Sequence, residues 1–127
     1  MLDCHSFPNV ALPYEQAEPA ARRPAVCIGS DAFHTEPALA QAFVRAFTQA
    51  GWEVALNEPF AGALVPASRY RRDARVQAVM VEVNRGLYMH EDDGSVRADF
   101  ERIAERVRGC CLSAVGAVGA IDALSRG

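Results

Sequence analysis

The stretch Val76–Met89, V-Q-A-V-M-V-E-V-N-R-G-L-Y-M, decides how this chain is read. Along an extended backbone Val79, Val81 and Val83 point one way, and Met80 and Glu82 the other. Apolar, β-branched residues on such a run predict an interior strand of a covered sheet. Glu82 breaks the pattern near its end, just before Asn84, Arg85 and Tyr88. A carboxylate in an apolar strand is costly to bury unless it is paired, binds a metal or takes part in chemistry.

Working outward, the segments on either side alternate between short apolar runs and helical patterns. Ala25–Gly29 (A-V-C-I-G) and Trp52–Leu56 (W-E-V-A-L) read as strands, and Met1–Pro8 as the end of a strand entering a loop. Between them, Leu39, Phe43 and Phe47 recur at helical spacing, with Ala40 and Val44 beside them. Thr35 is expected to cap this helix, with Pro37 in the first turn and Gly51 just past its end. Asn9–Pro24 and Asn57–Ala67 read as loops, and Arg69–Arg75 as a polar, Arg-rich link. After the acidic turn at 90–94, Ser95 is expected to cap a last helix. Val96, Phe100, Ile103, Ala104, Val107 and Cys111 would share its buried face. Residues 113–127 read as a second short helix or a peripheral tail.

Strands alternating with helices predict an α/β layer structure with a mostly parallel or mixed sheet, built from residues 1–127 as one partial domain. In parallel sheets ligands sit beyond the carboxyl ends of the strands. His5, Asp31–His34, Asn57 and Glu82–Arg85 all follow strands closely, so they are expected on one rim.

Composition narrows the function. Half the residues are apolar and the net charge is −3, which argues against a nucleic-acid partner. No apolar run is long enough to span a membrane convincingly, and no secretory leader is visible at the first residues. The four cysteines form no C-x-x-C pair; Cys110 and Cys111 are expected as packed thiols in a reducing, cytoplasmic setting.

Several side chains are candidates for chemistry. His5 follows a strand end, with Asp3 two residues before it and Ser6 after it. A neutral imidazole is a common zinc ligand, and a carboxylate often orients it through the other ring nitrogen. Glu82 suits a general base that activates water and then passes the proton to a leaving nitrogen; the plainer reading is an ion pair with Arg85 or with another Arg across the sheet. Arg85 suits a bidentate grip on a carboxylate. His34, near a helix start, and Asn57, in a Pro- and Gly-containing loop, are further candidates for binding.

Together these residues carry a resemblance. D-C-H-S-F-P at 3–8, G-S-D-A-F-H-T at 29–35, A-L-N-E-P-F-A-G-A at 55–63 and V-E-V-N-R-G-L-Y-M at 81–89 resemble, in order, the carboxyl-terminal half of the N-formylglutamate amidohydrolase family. That family is similar to zinc exopeptidases of the carboxypeptidase type. The resemblance implies a three-layer α/β/α fold, incomplete here, and zinc-dependent hydrolysis of N-formyl-L-glutamate or a related N-acyl amino acid to an acid and the amino acid, a late step of histidine catabolism. It implies His5 as a metal ligand and Glu82 as the catalytic acid and base. Arg85, Asn57 and His34 would bind substrate, with Asp3 and Ser6 behind the metal ligand. Such enzymes take two further zinc ligands from an amino-terminal half. The chain is therefore expected to be a fragment with an incomplete zinc site, inactive alone and prone to self-association through an exposed sheet edge. The alternative is a non-catalytic α/β module that binds a small acidic ligand.

Overall fold

The computed structural model describes residues 1–15 and 22–125. Residues 16–21 of the expected 9–24 loop and residues 126–127 of the expected tail lie outside them. Four strands form one sheet: β1 (Leu2–Phe7), β2 (Val26–Gly29), β3 (Val54–Leu56) and β4 (Val79–Asn84). Two helices, α1 (Pro37–Gln49) and α2 (Phe100–Ser125), pack against it. The chain is of the α/β class, and its sheet is mixed but mostly parallel.

The strand order is β1-β4-β2-β3. β1 pairs with β4 in parallel, as β2 does with β3, whereas β2 meets β4 antiparallel. This one antiparallel junction sends the two halves of the sheet in opposite directions.

Alternation along β4 sorts the sheet into two faces. Val79 and Val81 face the helices, joined by Val26 and Ile28 of β2. Phe43 and Phe47 of α1 and Ile103, Cys110 and Ala114 of α2 complete this core. Burying a large apolar side chain such as Phe43 or Phe47, each at most 1% exposed, stabilises by roughly 1.5–3 kcal/mol. Arg106 of α2 lies over the Trp52 ring, 4.2 Å from its centroid, and donates to the Ala50 carbonyl, tying α2 to the end of α1.

The opposite face carries Asp3, His5, Met80, Glu82, Cys27 and Gly29. Among the described residues its cover is a loop rather than a helix. Residues 57–66 cross it, held by the Gly62 amide on the Ser30 carbonyl and by the Leu64 amide on Asp3. Phe60 meets Phe7 edge-on at 5.9 Å, and the buried Arg23 guanidinium lies over both rings.

Three local expectations are corrected. Thr35 does not cap α1: the N-cap is Glu36, which makes no side-chain cap bond. The Thr35 hydroxyl instead donates to the Ala78 carbonyl and accepts from the Asp31 amide, locking the turn against the start of β4. Ser95 does not cap α2, and Val96 is not on its buried face. Val96 bridges to Met89 in a small hairpin and is 63% exposed; the helix begins only at Phe100. The backbone of α2 then continues without a break to Ser125, so no second helix or frayed tail begins at 113. The expected ends of α1 hold: Pro37 lies in its first turn, and Gly51 follows it at φ 85°.

Candidate active site

His5 of β1 and Glu82 of β4 are direct partners in the parallel register. Cys27 of β2 is the partner of Glu82 on its other side. Register partners share a face, so an imidazole, a carboxylate and a thiol stand side by side across three strands. Asp3, two residues before His5, shares that face, and its Oδ1 lies 2.7 Å from His5 Nε2.

The environments of the three groups differ sharply. Glu82 is 8% exposed, whereas the His5 side chain is 49% exposed. The site is therefore closed at Glu82 and open toward the β1 edge. Glu82 Oε2 is buried without a hydrogen-bond partner among the described residues. Burial raises the Glu82 carboxyl above its ordinary range; the His5 imidazole opposes this, Asp3 adds to it, and Arg85 opposes it. A carboxyl whose proton is held more tightly than usual is suited to taking a proton and returning it. Burial also pushes the Cys27 thiol up, and the Glu82 charge adds to it. That thiol donates to the Phe60 carbonyl at 3.2 Å, so it is a packed donor that anchors the covering loop.

Among the described residues Glu82 forms no ion pair with Arg85 or with another arginine. Arg85 donates instead to the Ser6 hydroxyl at 3.2 Å and the Ser6 carbonyl at 3.3 Å. Ser6 thereby holds Arg85 near the carboxyl ends of β1 and β4. Asn84 turns the chain there, its Oδ1 accepting from the Gly86 amide at 3.0 Å.

The expectation of a single rim is overturned. The antiparallel β2–β4 junction places the carboxyl ends of β2 and β3 at the rim opposite Arg85. Asn57 and His34 follow those strands and lie there. Asn57 takes φ 59°, a left-handed conformation that Asn tolerates well, and its Oδ1 accepts from the Ser30 amide at 2.8 Å. It shapes the start of the loop that crosses the site. His34 is fully buried. Its Nδ1 donates to the Val76 carbonyl at 2.8 Å, and its Nε2 accepts from the Arg71 amide at 2.8 Å. Both ring nitrogens are committed inside the chain, so neither is free to meet a substrate.

Cys27, Phe60, the Leu64 amide, Gly29 and Arg23 shape the site without having been singled out in the sequence. The N-E-P-F-A-G block carried a signal for Phe60. Nothing in the R-R-P context of Arg23 distinguishes it from a surface arginine.

A catalytic zinc ordinarily takes three protein ligands and leaves one position open. Among the described residues no three His, Cys, Asp or Glu side chains come together as a metal-binding group. The described residues therefore do not make a zinc site by themselves.

The fold and site define an α/β chain with a buried, unpaired glutamate in register with an imidazole on the loop-covered face of a mixed sheet. A family model for N-formylglutamate amidohydrolase matches residues 1–89, and the chain belongs to that family. The crystal structure of an N-formylglutamate amidohydrolase from Ralstonia eutropha JMP134 is similar over 95% of this chain, at 25% identity and a TM-score of 0.72. The chain spans 42% of that protein's chain. No curated protein matches it. Among the described residues no helix is long and apolar enough to cross a membrane.

Proposed function

We propose that this chain supplies the acid–base half of an amidohydrolase site acting on N-formyl-L-glutamate or a related N-acyl amino acid, releasing formate or another acid and the amino acid. The observation that carries this reading is Glu82: buried, unpaired at Oε2, and in register with His5. In this reading Glu82 takes a proton from the attacking water and returns it to the leaving amide nitrogen, the two transfers a C–N hydrolysis needs. His5, oriented by Asp3, is the chain's contribution to metal binding. Zinc is the metal the family resemblance implies, and the described residues supply only part of its donor set. Arg85, on the rim beside β1, is the candidate partner for a substrate carboxylate. Asn57 acts by setting the start of the covering loop, and His34 has no part in binding.

Formate release from N-formyl-L-glutamate tests the reading. It is measured for the chain alone and for the chain mixed with the part of a family member that it does not span, with Glu82→Gln as the control. Turnover that survives in that variant removes Glu82 from the mechanism. Binding of N-formyl-L-glutamate without release in either preparation favours the non-catalytic binding module instead.

The apolar ground beside β1 bears on partners. Cavities of about 490 and about 320 Å³ lie between β1 and the helices and meet at Leu2. β1 pairs only with β4 among the described strands, so its outer backbone groups are open for pairing. Self-association along this edge is the partner reading the surface supports.

A further inference from the structure

We infer that Asp3 is a positioning residue that couples the covering loop 57–66 to the His5 imidazole, and so selects which ring nitrogen of His5 carries the free electron pair. The inference rests on the reading of His5 and Glu82 as one site.

Asp3 uses its two carboxylate oxygens on two different elements. Oδ1 meets His5 Nε2 at 2.7 Å, and Oδ2 accepts from the Leu64 amide at 2.8 Å. The Asp3 side chain is only 11% exposed, so water does not readily replace either partner. A carboxylate only accepts, so the proton of a neutral His5 sits on Nε2 and Nδ1 is left as the electron-pair donor. The Leu64 amide fixes the carboxylate from the other side. Loop and imidazole therefore hold each other through one side chain. If the loop shifts away, Asp3 loses one partner and is free to rotate out of line with the ring.

The arrangement requires a carboxylate, because two donors face it. An asparagine offers one acceptor and one donor group. It can satisfy His5 or Leu64 in the present geometry, but not both. With its oxygen on the Leu64 amide, its NH₂ confronts His5 Nε2 and the ring proton moves to Nδ1. With its oxygen on His5, its NH₂ confronts the Leu64 amide and the loop loses its tether.

The test uses the ¹⁵N-labelled chain. Long-range ¹H–¹⁵N correlation well above neutral pH reads the His5 tautomer, and amide exchange reads the tether at Leu64. The wild type is expected to hold its ring proton on Nε2 and to protect the Leu64 amide. In Asp3→Asn the proton moves to Nδ1, or Leu64 exchange speeds up by about tenfold, the loss expected for one hydrogen bond. In Asp3→Ala both readouts change while the Val81 amide in the core stays protected. A wild-type His5 protonated on Nδ1, or a freely exchanging wild-type Leu64 amide, overturns the proposal whether or not the variants fold. So does an Asp3→Asn chain that keeps both features. Neither readout needs hydrolysis, so a chain inert toward N-formyl-L-glutamate leaves this inference standing while removing the catalytic reading.

Discussion

His5 and Glu82 face each other in register across two parallel strands, one half exposed and the other buried with an unpaired oxygen. An imidazole at the open side and a carboxyl at the closed side give the site a direction. The acid is shielded, and the group beside it is accessible.

That shielding has a pH signature. The Glu82 carboxyl in the folded chain lies above its ordinary 4.5 because burial disfavours its charge. The folded state therefore binds the proton more tightly than the unfolded state. The stabilisation this contributes is complete below about pH 4.5 and is lost as pH rises through the folded value. Glu82→Gln removes that dependence. Thermal melts from acid to neutral pH should show the variant gaining on the wild type as pH rises. Where turnover is present, the same variant should lower formate release by about 100-fold or more. A variant less stable than wild type at neutral pH would mean that the carboxylate has a partner after all.

His34 is predicted to matter for stability. In His34→Ala the Val76 carbonyl and the Arg71 amide lose their buried partner, and the ring stacked on Tyr70 leaves a hole. The cost should be about 3 kcal/mol or more in urea unfolding. Binding of N-formyl-L-glutamate by the folded fraction should be unchanged. Selective loss of binding at wild-type stability would return His34 to the site.

Gly29 sets how closely the covering loop can approach. A Cβ there would lie 2.5 Å from the Gly62 carbonyl oxygen and would overlap Met80. Met80 can move, being flexible, but the Gly62 backbone is pinned by its own bond to Ser30. Gly29→Ala should cost about 1–3 kcal/mol and lift residues 57–66 away from the sheet. Amide exchange at Gly62 and Leu64 should speed up, with α1 unaffected.

The apolar ground beside β1 predicts concentration-dependent association. Leu112 lines the larger cavity and is 61% exposed. Leu112→Glu should weaken self-association by about tenfold or more, in line with losing one buried leucine, and leave helical content intact. Sedimentation velocity over a concentration series checks this. A wild-type chain that stays monomeric throughout would remove the edge as an interface.

Much of the site was legible in the sequence, for a local reason. The valine alternation identifies β4, and the same alternation isolates Glu82 as a charge on a face otherwise built from Met80 and its neighbours. The spacing of Asp3 and His5 puts them on one face of a strand, and their direct contact is seen only in the structure. Thr35 and Ser95 do not cap their helices because a hydroxyl before a helical pattern has more than one available partner. Thr35 bonds to Ala78, just before β4 and 43 residues along the chain, which no local window includes. The length of α2 is not legible locally, because Gly116 and Gly119 weaken a helix there, whereas packing of Ala114 and Val118 against the core supports it from outside.

What the sequence by itself determined is which segments are extended or helical, which of their faces are apolar, and that Glu82 is out of place among them; these follow from side-chain periodicity along one stretch of chain. What only the tertiary structure decided is direction and company. The antiparallel junction of β2 with β4 split the expected rim in two, sending His34 and Asn57 away from Arg85. The register of β1 on β4 set His5 beside Glu82. Both depend on hydrogen bonds between residues far apart in sequence, and no local pattern encodes which strand will be the neighbour or which way it will run.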